Sequence, residues 1–569
     1  MSKRYAIGLD YGSLSCRGVL ACTDGGAILA EEEYVYPHGI LSDALPDGTK
    51  LPPLWAVQHP QDYLDALARI IPALLQSSGV PPEAVAALGI DTTASTVVAV
   101  DGNLTPLCRK EGFAREIHAW PKMWKHHAAW REAEELTASI RERTPALLER
   151  YGGGVGAESM LPKLLQTLRE APGIFEAGTF FECGDWLVSL LAGREVRSGS
   201  YLTCKSLWDP ALGYPKGPLF EPLTEKLPPR GGAVLAWPGQ SVGTLSPEMA
   251  RKLGLSPRTV LSAPQMDAYA GLPGCGVSGP GVMAMVLGTS NACLLLGRES
   301  RPVSGICAAI PDSILLGFTG YAAGQPCTGD MLRWFTENCV PAACERAARE
   351  SGRGLHAYLT GLAEKKRPGE SGLIALDWWN GNKSVLNDPG LSGVLLGMTL
   401  ATRPEDIYRA LIESAAYGTR KILDTFRRAG AEVSSIIASG GGAAKNPMLM
   451  QIYADVLNMP VAVSACTQAA ALGSAMYAAA AAGEYDSAAG AAAAMSQGTA
   501  SRYLPRKEAA GVYGRLYAEY EAVHDYFGRG ENRGMARLRA IAREAAAHAG
   551  GSSPEHEEEK ENEGVFPAI

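Results

Sequence analysis

Two short segments, one in each half of the chain, place glycine residues and hydroxyl-bearing residues in a tight turn between apolar runs. Residues 10–17 read DYGSLSCR, and residues 288–291 read GTSN. The first segment joins a strand-end carboxylate to N–H, O–H and guanidinium donors, which suits a phosphate with its Mg²⁺, at Asp10, Gly12, Ser13 and Arg17. An ordinary hairpin explains either segment alone. Two such turns together would hold a polyphosphate from opposite walls of a cleft.

Two further segments could carry chemistry. Residues 439–447, SGGGAAKNP, are typical of a strand end, a glycine run and a helix start, with Asn446 as donor and acceptor. That backbone can lie flat against a nucleotide, although an ordinary strand–helix turn has the same pattern. Asp267, in SAPQMDAYAG, follows an apolar run, and its carboxylate can accept the proton of a hydroxyl group. A lone aspartate is also a common helix N-cap, so both roles stay open.

Several catalytic motifs are absent or stand in the wrong context. Residues 274–279, GCGVSG, match the dinucleotide-binding pattern, but a strand-like run follows where that motif requires a helix. The sequence contains no G-x-x-x-x-G-K-[ST], no H-R-D or D-F-G, and no H-E-x-x-H. These absences exclude a P-loop, the protein-kinase fold and a zincin-type metal site.

Composition narrows the function classes further. The 569 residues are 46% hydrophobic and 20% charged, and the net charge of −8 makes the chain a poor candidate for binding the phosphate backbone of nucleic acid. The 12 cysteines are scattered, which favours free thiols in a reducing compartment over disulfides or a zinc site. The chain has no apolar run of membrane-spanning length, and its N-terminus lacks the apolar region of a signal peptide. We therefore expect a cytoplasmic protein with no nucleic-acid or membrane partner.

Strand-like runs alternate with helical patterns, which predicts an α/β fold. Residues 7–23 and 284–298 share one layout, in which an apolar run, a short turn and a second apolar run follow each other. If this is a repeat and not chance, two halves of similar topology face each other across a cleft. Residues 84–90 and 97–100 predict a further strand pair. Pro404–Arg428 predicts a long helix with proline at its start and glycine after its end.

Taken together in this order, the segments resemble the FGGY carbohydrate kinases, within the larger set of sugar kinase, actin and heat-shock ATPase folds. QAAALGSAMYAAAAAG at 468–483 resembles the family's C-terminal signature, and LPPLWAVQHPQDYLDAL, CKSLWDPALG and LDWWNGNKS resemble landmarks of its ribulokinase subfamily. The resemblance implies two ribonuclease H-like domains flanking a central cleft. Residues 1–278 would hold the sugar site and catalytic base, residues 279–548 would bind the nucleotide, and residues 549–569 would form a disordered acidic tail.

The resemblance also implies ATP-dependent phosphorylation of a sugar, at the 5-hydroxyl of a ketopentose such as L-ribulose, with Mg²⁺ and in a homodimer. It makes Asp267 the catalytic base and places Asp10 and Asp267 beside the metal ion. The sugar contacts are expected at Ala94, Lys205 and Asp267. The nucleotide contacts, from the turns and the family motifs together, are expected at Gly12, Ser13, Arg17, Gly288, Thr289, Gly329, Gly441, Gly442 and Asn446.

This sequence departs from the subfamily pattern at two places. Ala322 stands where ribulokinases have a sugar-contacting glutamate, and the segment 151–159 is one residue shorter. The sugar is therefore less well specified than the phosphoryl transfer, and a kinase of another pentulose or a polyol stays open. Two other classes also stay open: a non-catalytic sensor of nucleotide or sugar on the same fold, and an actin-type chaperone or filament protein.

Overall fold

The computed structural model describes residues 3–228, 232–530 and 532–549. Of the predicted disordered tail, all but residue 549 lies outside these ranges. The strands are β1 Tyr5–Tyr11, β2 Ser15–Cys22, β3 Ile28–Val35, β4 Val85–Thr92, β5 Val97–Val100, β6 Thr179–Glu182, β7 Val196–Ser198, β8 Val234–Ala236, β9 Ser241–Thr244, β10 Val260–Ser262, β11 Gln265–Met266, β12 Gly281–Leu287, β13 Asn291–Gly297, β14 Ala308–Pro311, β15 Thr319–Gln325, β16 Ile374–Leu376, β17 Val394–Leu396, β18 Val433–Ser439, β19 Val461–Ser464 and β20 Thr499–Tyr503.

The helices are α1 Pro60–Ser78, α2 Trp130–Arg143, α3 Pro145–Leu148, α4 Met160–Glu170, α5 Pro172–Ala177, α6 Cys183–Ala192, α7 Gly199–Lys205, α8 Glu221–Thr224, α9 Pro247–Leu253, α10 Asp267–Gly274, α11 Gly329–Asn338, α12 Ala342–Glu350, α13 Leu355–Ala363, α14 Pro404–Arg428, α15 Gly441–Lys445, α16 Pro447–Leu457, α17 Ala469–Ala481, α18 Ala488–Ala494, α19 Lys507–Gly528 and α20 Gly534–Ala549. None of these helices has the length and hydropathy needed to cross a membrane, within the residues described.

Two large sheets repeat one topology. The first has the order β3-β2-β1-β4-β10-β9 with β11 beside β4, and the second has the order β14-β15-β13-β12-β18-β19-β20. In each sheet an antiparallel hairpin (β1–β2 or β12–β13) is followed by strands parallel to its first member (β4 or β18). The predicted repeat and the α/β fold class are therefore confirmed, and the turn of each hairpin lies at the same edge of its sheet.

The predicted pairing of residues 84–90 with 97–100 is wrong. β4 covers the first of these runs and lies between β1 and β10, whereas β5 pairs with β6. All eight residues of β4 are buried, because this strand is central in its sheet and has hydrogen-bonded neighbours on both sides. The turn after β4 therefore leads the chain out of the sheet, and it is not a hairpin.

Two helices cross between the sheets. α10 follows the first sheet, yet its apolar side belongs to a core cluster that includes β12 and β13 residues, while α17 packs on β1 and β4. The two helices touch where Gly473 meets the backbone of α10, since a Cβ there would lie 1.8 Å from the Ala270 carbonyl oxygen. Each half therefore contributes a helix to the junction, and the glycine allows the helices to approach at backbone distance.

Candidate active site

Three carboxylates meet at the carboxyl edge of the first sheet. In the parallel ladder Asp10 of β1 is paired with Asp91 of β4, and Gln265 of β11 is paired with Asp91 from the other side. Asp267 comes two residues after Gln265. The structure thus brings the predicted Asp10 and Asp267 together, at the edge where open α/β sheets bind their ligands. Sequence reasoning missed Asp91, although its GID context at 89–91 repeats the GLD context of Asp10.

Asp91 is the innermost of the three acids. Its side chain is fully buried, and the hydroxyl of Ser474 on α17 donates a hydrogen bond to its Oδ2 at 2.6 Å. Burial first, and then the charge of Asp10, raise the pKa of Asp91 well above the usual range of a carboxyl group. Burial also raises the pKa of Asp10, which a hydrogen bond with Asp91 opposes. Asp91 thus lies between α17 and Asp10, where burial and the charge of Asp10 both disfavour its ionised form.

Asp267 is the first residue of α10. Met266, not Asp267, occupies the N-cap position, and the Asp267 carboxylate accepts the N–H of Ala268 at 2.7 Å. Burial and repulsion from Asp10 together raise the pKa of Asp267 to about 7, against the opposing effects of the Ala268 N–H and of Lys205. Asp267 is therefore not the N-cap of α10. A carboxyl group with a pKa near neutrality suits a general base.

The turn between β1 and β2 is held by side chains from elsewhere in the chain. Within the turn, the Gly12 N–H donates to the Ser15 carbonyl at 3.0 Å. The Gln58 amide donates to the Ser13 carbonyl at 2.9 Å, and the Trp124 indole N–H donates to the Ser13 hydroxyl, also at 2.9 Å. Gly12 and Ser13, which are predicted to contact phosphate, thus lie in one turn next to Asp10, and these hydrogen bonds hold the turn in place.

Arg17, which the sequence also assigned to the nucleotide, lies in β2. Its guanidinium Nε donates to Glu33 of β3 at 3.0 Å, and about half of its side chain is exposed. Its positive charge still lowers the pKa of Asp10. A phosphate contact by Arg17 stays a prediction.

The turn between β12 and β13 is held by the main chain of α11. The Thr289 carbonyl accepts the N–H groups of Thr328 at 2.9 Å and Asp330 at 3.1 Å, and the Gly329 N–H donates to the Gly288 carbonyl at 3.2 Å. A Cβ on Gly329 would lie 2.5 Å from that Gly288 oxygen. The structure therefore brings the predicted Gly288, Thr289 and Gly329 together, and the contact requires glycine at position 329.

The glycine run after β18 lies beside this second turn. A Cβ on Gly442 would be 3.3 Å from the Leu287 carbonyl, whereas a Cβ on Gly441 would meet no atom within 4 Å. Asn446 caps α16, because its Oδ1 accepts the Leu449 N–H at 3.0 Å. Gly441 is thus the glycine with open space beside it. A nucleotide contact by Asn446 stays a prediction that would have to use its amide nitrogen.

The predicted sugar contacts lie on the first half of the chain. Ala94 follows β4 and Lys205 ends α7, and both side chains are half-buried. The Lys205 charge lowers the pKa of Asp267 and also that of Glu158, which precedes α4. Sequence reasoning missed Glu158. Burial opposes its ionisation, but Lys383, Lys205 and His127 together lower its pKa to about 2.

Glu158 also links the two halves of the chain. Its Oε1 lies 3.8 Å from the Lys383 ammonium, which belongs to the loop after β16. Nearby, the Asn387 side-chain amide donates to the Gly152 carbonyl at 3.3 Å. Ala322 is on β15, opposite Ala308 of β14, and carries only a methyl group. Ala322 thus offers no carboxylate, whereas Glu158 places one near Lys205 and Lys383.

The acid edge has the ligand chemistry of a hard divalent cation. Asp10 and Asp267 are partly exposed residues; burial raises the pKa of both carboxyl groups, and repulsion from Asp10 adds to the shift of Asp267. A bound cation would relieve that repulsion. A different group, His38, His59 and Asp62, also has ligand atoms within 4.8 Å of one another. Its two imidazole rings stack 4.0 Å apart, and Nδ1 of His38 is hydrogen-bonded to Asp62 at 2.7 Å.

Comparison with known proteins agrees with this geometry. Residues 283–482 match the C-terminal domain of the FGGY family of carbohydrate kinases. A ribulokinase of Geobacillus thermodenitrificans (strain NG80-2) is 44% identical over 549 residues, which cover 95% of this chain and 97% of that protein. The chain belongs to the FGGY family of carbohydrate kinases. A second ribulokinase, from Anoxybacillus flavithermus (strain DSM 21510 / WK1), is 44% identical over 95% of this chain and 97% of its own length.

Solved FGGY structures confirm the two-domain sugar-kinase fold. The crystal structure of xylulose kinase from Rhodospirillum rubrum superposes with a TM-score of 0.75 at 23% identity, covering 92% of this chain and 98% of that chain. At this identity the likeness concerns the fold alone. The family resemblance and the fold class predicted from the sequence are thus confirmed, and the kinase activity follows from the family.

Proposed function

We propose that this FGGY kinase transfers the γ-phosphoryl group of ATP to the 5-hydroxyl of a ketopentose such as L-ribulose, with Mg²⁺. The observation that carries the proposal is the position of Asp267, whose pKa is about 7 and which stands at the acid edge beside Asp10 and near Lys205. The ribulokinases that match nearly the whole chain support the pentulose class.

In the proposed reaction, Asp267 accepts the proton of the sugar hydroxyl while that oxygen bonds to the γ-phosphorus. The bond from the γ-phosphorus to the β–γ bridging oxygen breaks, and ADP leaves with that oxygen. The donors of the two turns align the triphosphate, which is the main task in a loose phosphoryl-transfer transition state. Asp10 and Asp267 would hold Mg²⁺, which supplies positive charge to the phosphate oxygens.

Lys205 and Ala94 would orient the sugar, with Glu158 on the same side. Closure of the two halves over the cleft would exclude water, which would otherwise compete with the sugar for the phosphoryl group. The nucleotide contacts proposed from the sequence stay part of this proposal. So does a homodimer, which light scattering on the purified protein would test.

The test is a substrate panel. The purified protein is incubated with MgATP and, separately, D- and L-ribulose, D- and L-xylulose, ribitol, arabinitol and L-arabinose, and ADP release is followed. We expect release that depends on a ketopentose, and a phosphorus–proton NMR coupling that places the phosphate on C5. A pentitol as the preferred substrate would overturn the pentulose assignment. Nucleotide binding without any sugar phosphate would favour the sensor, and ATP hydrolysis unaffected by sugar would favour the actin-type alternative.

A further inference from the structure

The hydrogen bond between Trp124 and Ser13 joins two segments that are 111 residues apart. Trp124 is 37% exposed, so its ring is not a core residue that happens to touch the turn. An indole N–H can only donate, and a serine hydroxyl has one proton and two lone pairs. In this bond the Ser13 oxygen must therefore be the acceptor, and its own proton is left to point elsewhere.

The backbone around Trp124 is fixed on both sides. Its predecessor Met123 is fully buried, and the Met123 N–H donates to the Ala56 carbonyl at 3.1 Å. The buried ammonium of Lys163 donates to the Met123 carbonyl at 2.8 Å, and the His126 N–H donates to the same carbonyl at 3.0 Å. These hydrogen bonds hold the backbone of Trp124 in place, so its contact with the turn is not an incidental contact between mobile surface groups.

The Ser13 main chain is fixed as well. The Gln58 amide donates to its carbonyl at 2.9 Å, and the Tyr63 hydroxyl in turn donates to the Gln58 oxygen at 2.5 Å. With the backbone and one lone pair of the hydroxyl occupied, rotation of the O–H about the Cβ–Oγ bond is the freedom that remains. A phosphate oxygen of a bound nucleotide would be a strong acceptor for that proton.

We propose that Trp124 is a positioning residue of the first turn, which occupies a lone pair of the Ser13 hydroxyl and so directs its proton to the terminal phosphates of the bound nucleotide. This inference rests on the proposed function, because it requires that Ser13 contact those phosphates. Trp124 acts through Ser13 and needs no contact of its own with the nucleotide.

The experiment compares Trp124→Phe, Ser13→Ala and the double variant, with Trp130→Phe as the matched control. Trp124→Phe keeps an aromatic ring and removes the N–H; Trp130 is half-buried at the start of α2 and stacks with Arg131. Calorimetry gives the affinities for MgATP and for AMP, which lacks the terminal phosphates. Turnover, the KM for the preferred sugar and the thermal midpoint are measured on the same proteins.

We expect Trp124→Phe to weaken MgATP binding about 5- to 20-fold, the effect of one hydrogen bond to a charged group, with AMP affinity, sugar KM and thermal midpoint unchanged. The double variant should bind MgATP no more weakly than Ser13→Ala alone, because both changes remove one coupled interaction. Replacing Trp124 by benzothienylalanine, which keeps the ring shape and lacks the N–H, should reproduce the loss.

Two results would overturn the inference: losses that add in the double variant, or an equal loss of MgATP and AMP affinity, which would mean a merely structural role. Unchanged MgATP affinity in Ser13→Ala would overturn it too, by removing the phosphate contact it needs. A different result would show that the proposed function is wrong: the wild-type protein would make no sugar phosphate. The binding measurements decide the role of Trp124 in either case.

Discussion

The two sheets share a topology, but different types of residue lie at their cleft edges. The first edge carries the acids Asp10, Asp91 and Asp267, and its turn is braced by the side chains of Gln58 and Trp124. The second edge carries glycines and a hydroxyl residue, and its turn is held by main-chain hydrogen bonds from the start of α11. The same topology thus places acids at one edge and glycines at the other.

The difference has a physical basis. Closely spaced, buried carboxylates repel each other, so they need specific hydrogen-bond partners, of which the Ser474–Asp91 bond is one. A phosphate cradle needs N–H groups and close backbone approach, which glycine supplies without a side chain. Variants at the first edge should therefore change rate and pH dependence, whereas variants at the second should change nucleotide affinity.

The largest effect is expected at the acid edge. Asp267→Asn removes the proton acceptor at nearly constant shape, so turnover should fall by about 10²- to 10⁴-fold, while the affinity for ATP measured without Mg²⁺ stays within about twofold. Steady-state kinetics and calorimetry on the same preparation check both parts. Near-normal turnover would mean that another group, or none, removes the proton.

The same acid predicts the pH dependence. Burial and the charge of Asp10 raise the pKa of Asp267 to about 7, and only the deprotonated form can accept a proton. The kcat/KM for the sugar should therefore fall about tenfold per unit as the pH decreases below about 7, and level off above it. Measuring MgATP affinity over the same pH range shows whether the fall in kcat/KM comes from protonation of Asp267 or from weaker nucleotide binding. A flat profile down to about pH 5 would contradict a base with this pKa.

At the second edge we expect a loss of affinity and little change in pH dependence. Gly329→Ala puts a Cβ 2.5 Å from the Gly288 oxygen, where only backbone movement can relieve the contact. The strain, about 1–3 kcal/mol, should weaken MgATP binding about 5- to 100-fold and lower the thermal midpoint. Gly173→Ala is the matched control, since Gly173 also lies in the first turn of a helix and a Cβ there meets no atom within 4 Å. Equal effects of the two substitutions would show that the second turn is not held through Gly329.

Sequence reasoning was most successful where the signal is local. The turns at 10–17 and 288–291 and the helix Pro404–Arg428 follow from spacing within a few residues, and the structure has them there. The predicted pairing of 84–90 with 97–100 failed because strand neighbours are set by long-range register, which local patterns do not contain.

The same reason explains the residues that were missed. Asp91 repeats the local sequence context of Asp10, but its position beside Asp10 and its bond with Ser474, 383 positions away, are seen only in the structure. Glu158 becomes notable only beside Lys383, and Trp124 only beside Ser13. The types of these residues suggest nothing unusual in sequence. Their partners in space define their roles, and a single sequence does not show which residues are partners.

The smallest effect is expected at the ion pair of Glu158 with Lys383, which joins the two halves of the chain. Glu158→Gln keeps the shape and removes the charge that attracts the Lys383 ammonium, 3.8 Å away. The pair is partly exposed, so the change should be modest: a sugar KM about 3- to 10-fold higher, with turnover and the KM for ATP within about twofold. The control is Asp101→Asn, which breaks the 2.9 Å pair with Lys110 inside the first half of the chain and should leave all three constants unchanged. A raised KM for ATP in Glu158→Gln would place this pair with the nucleotide, and would show that the sugar and nucleotide sides are not separated as the two edges suggest.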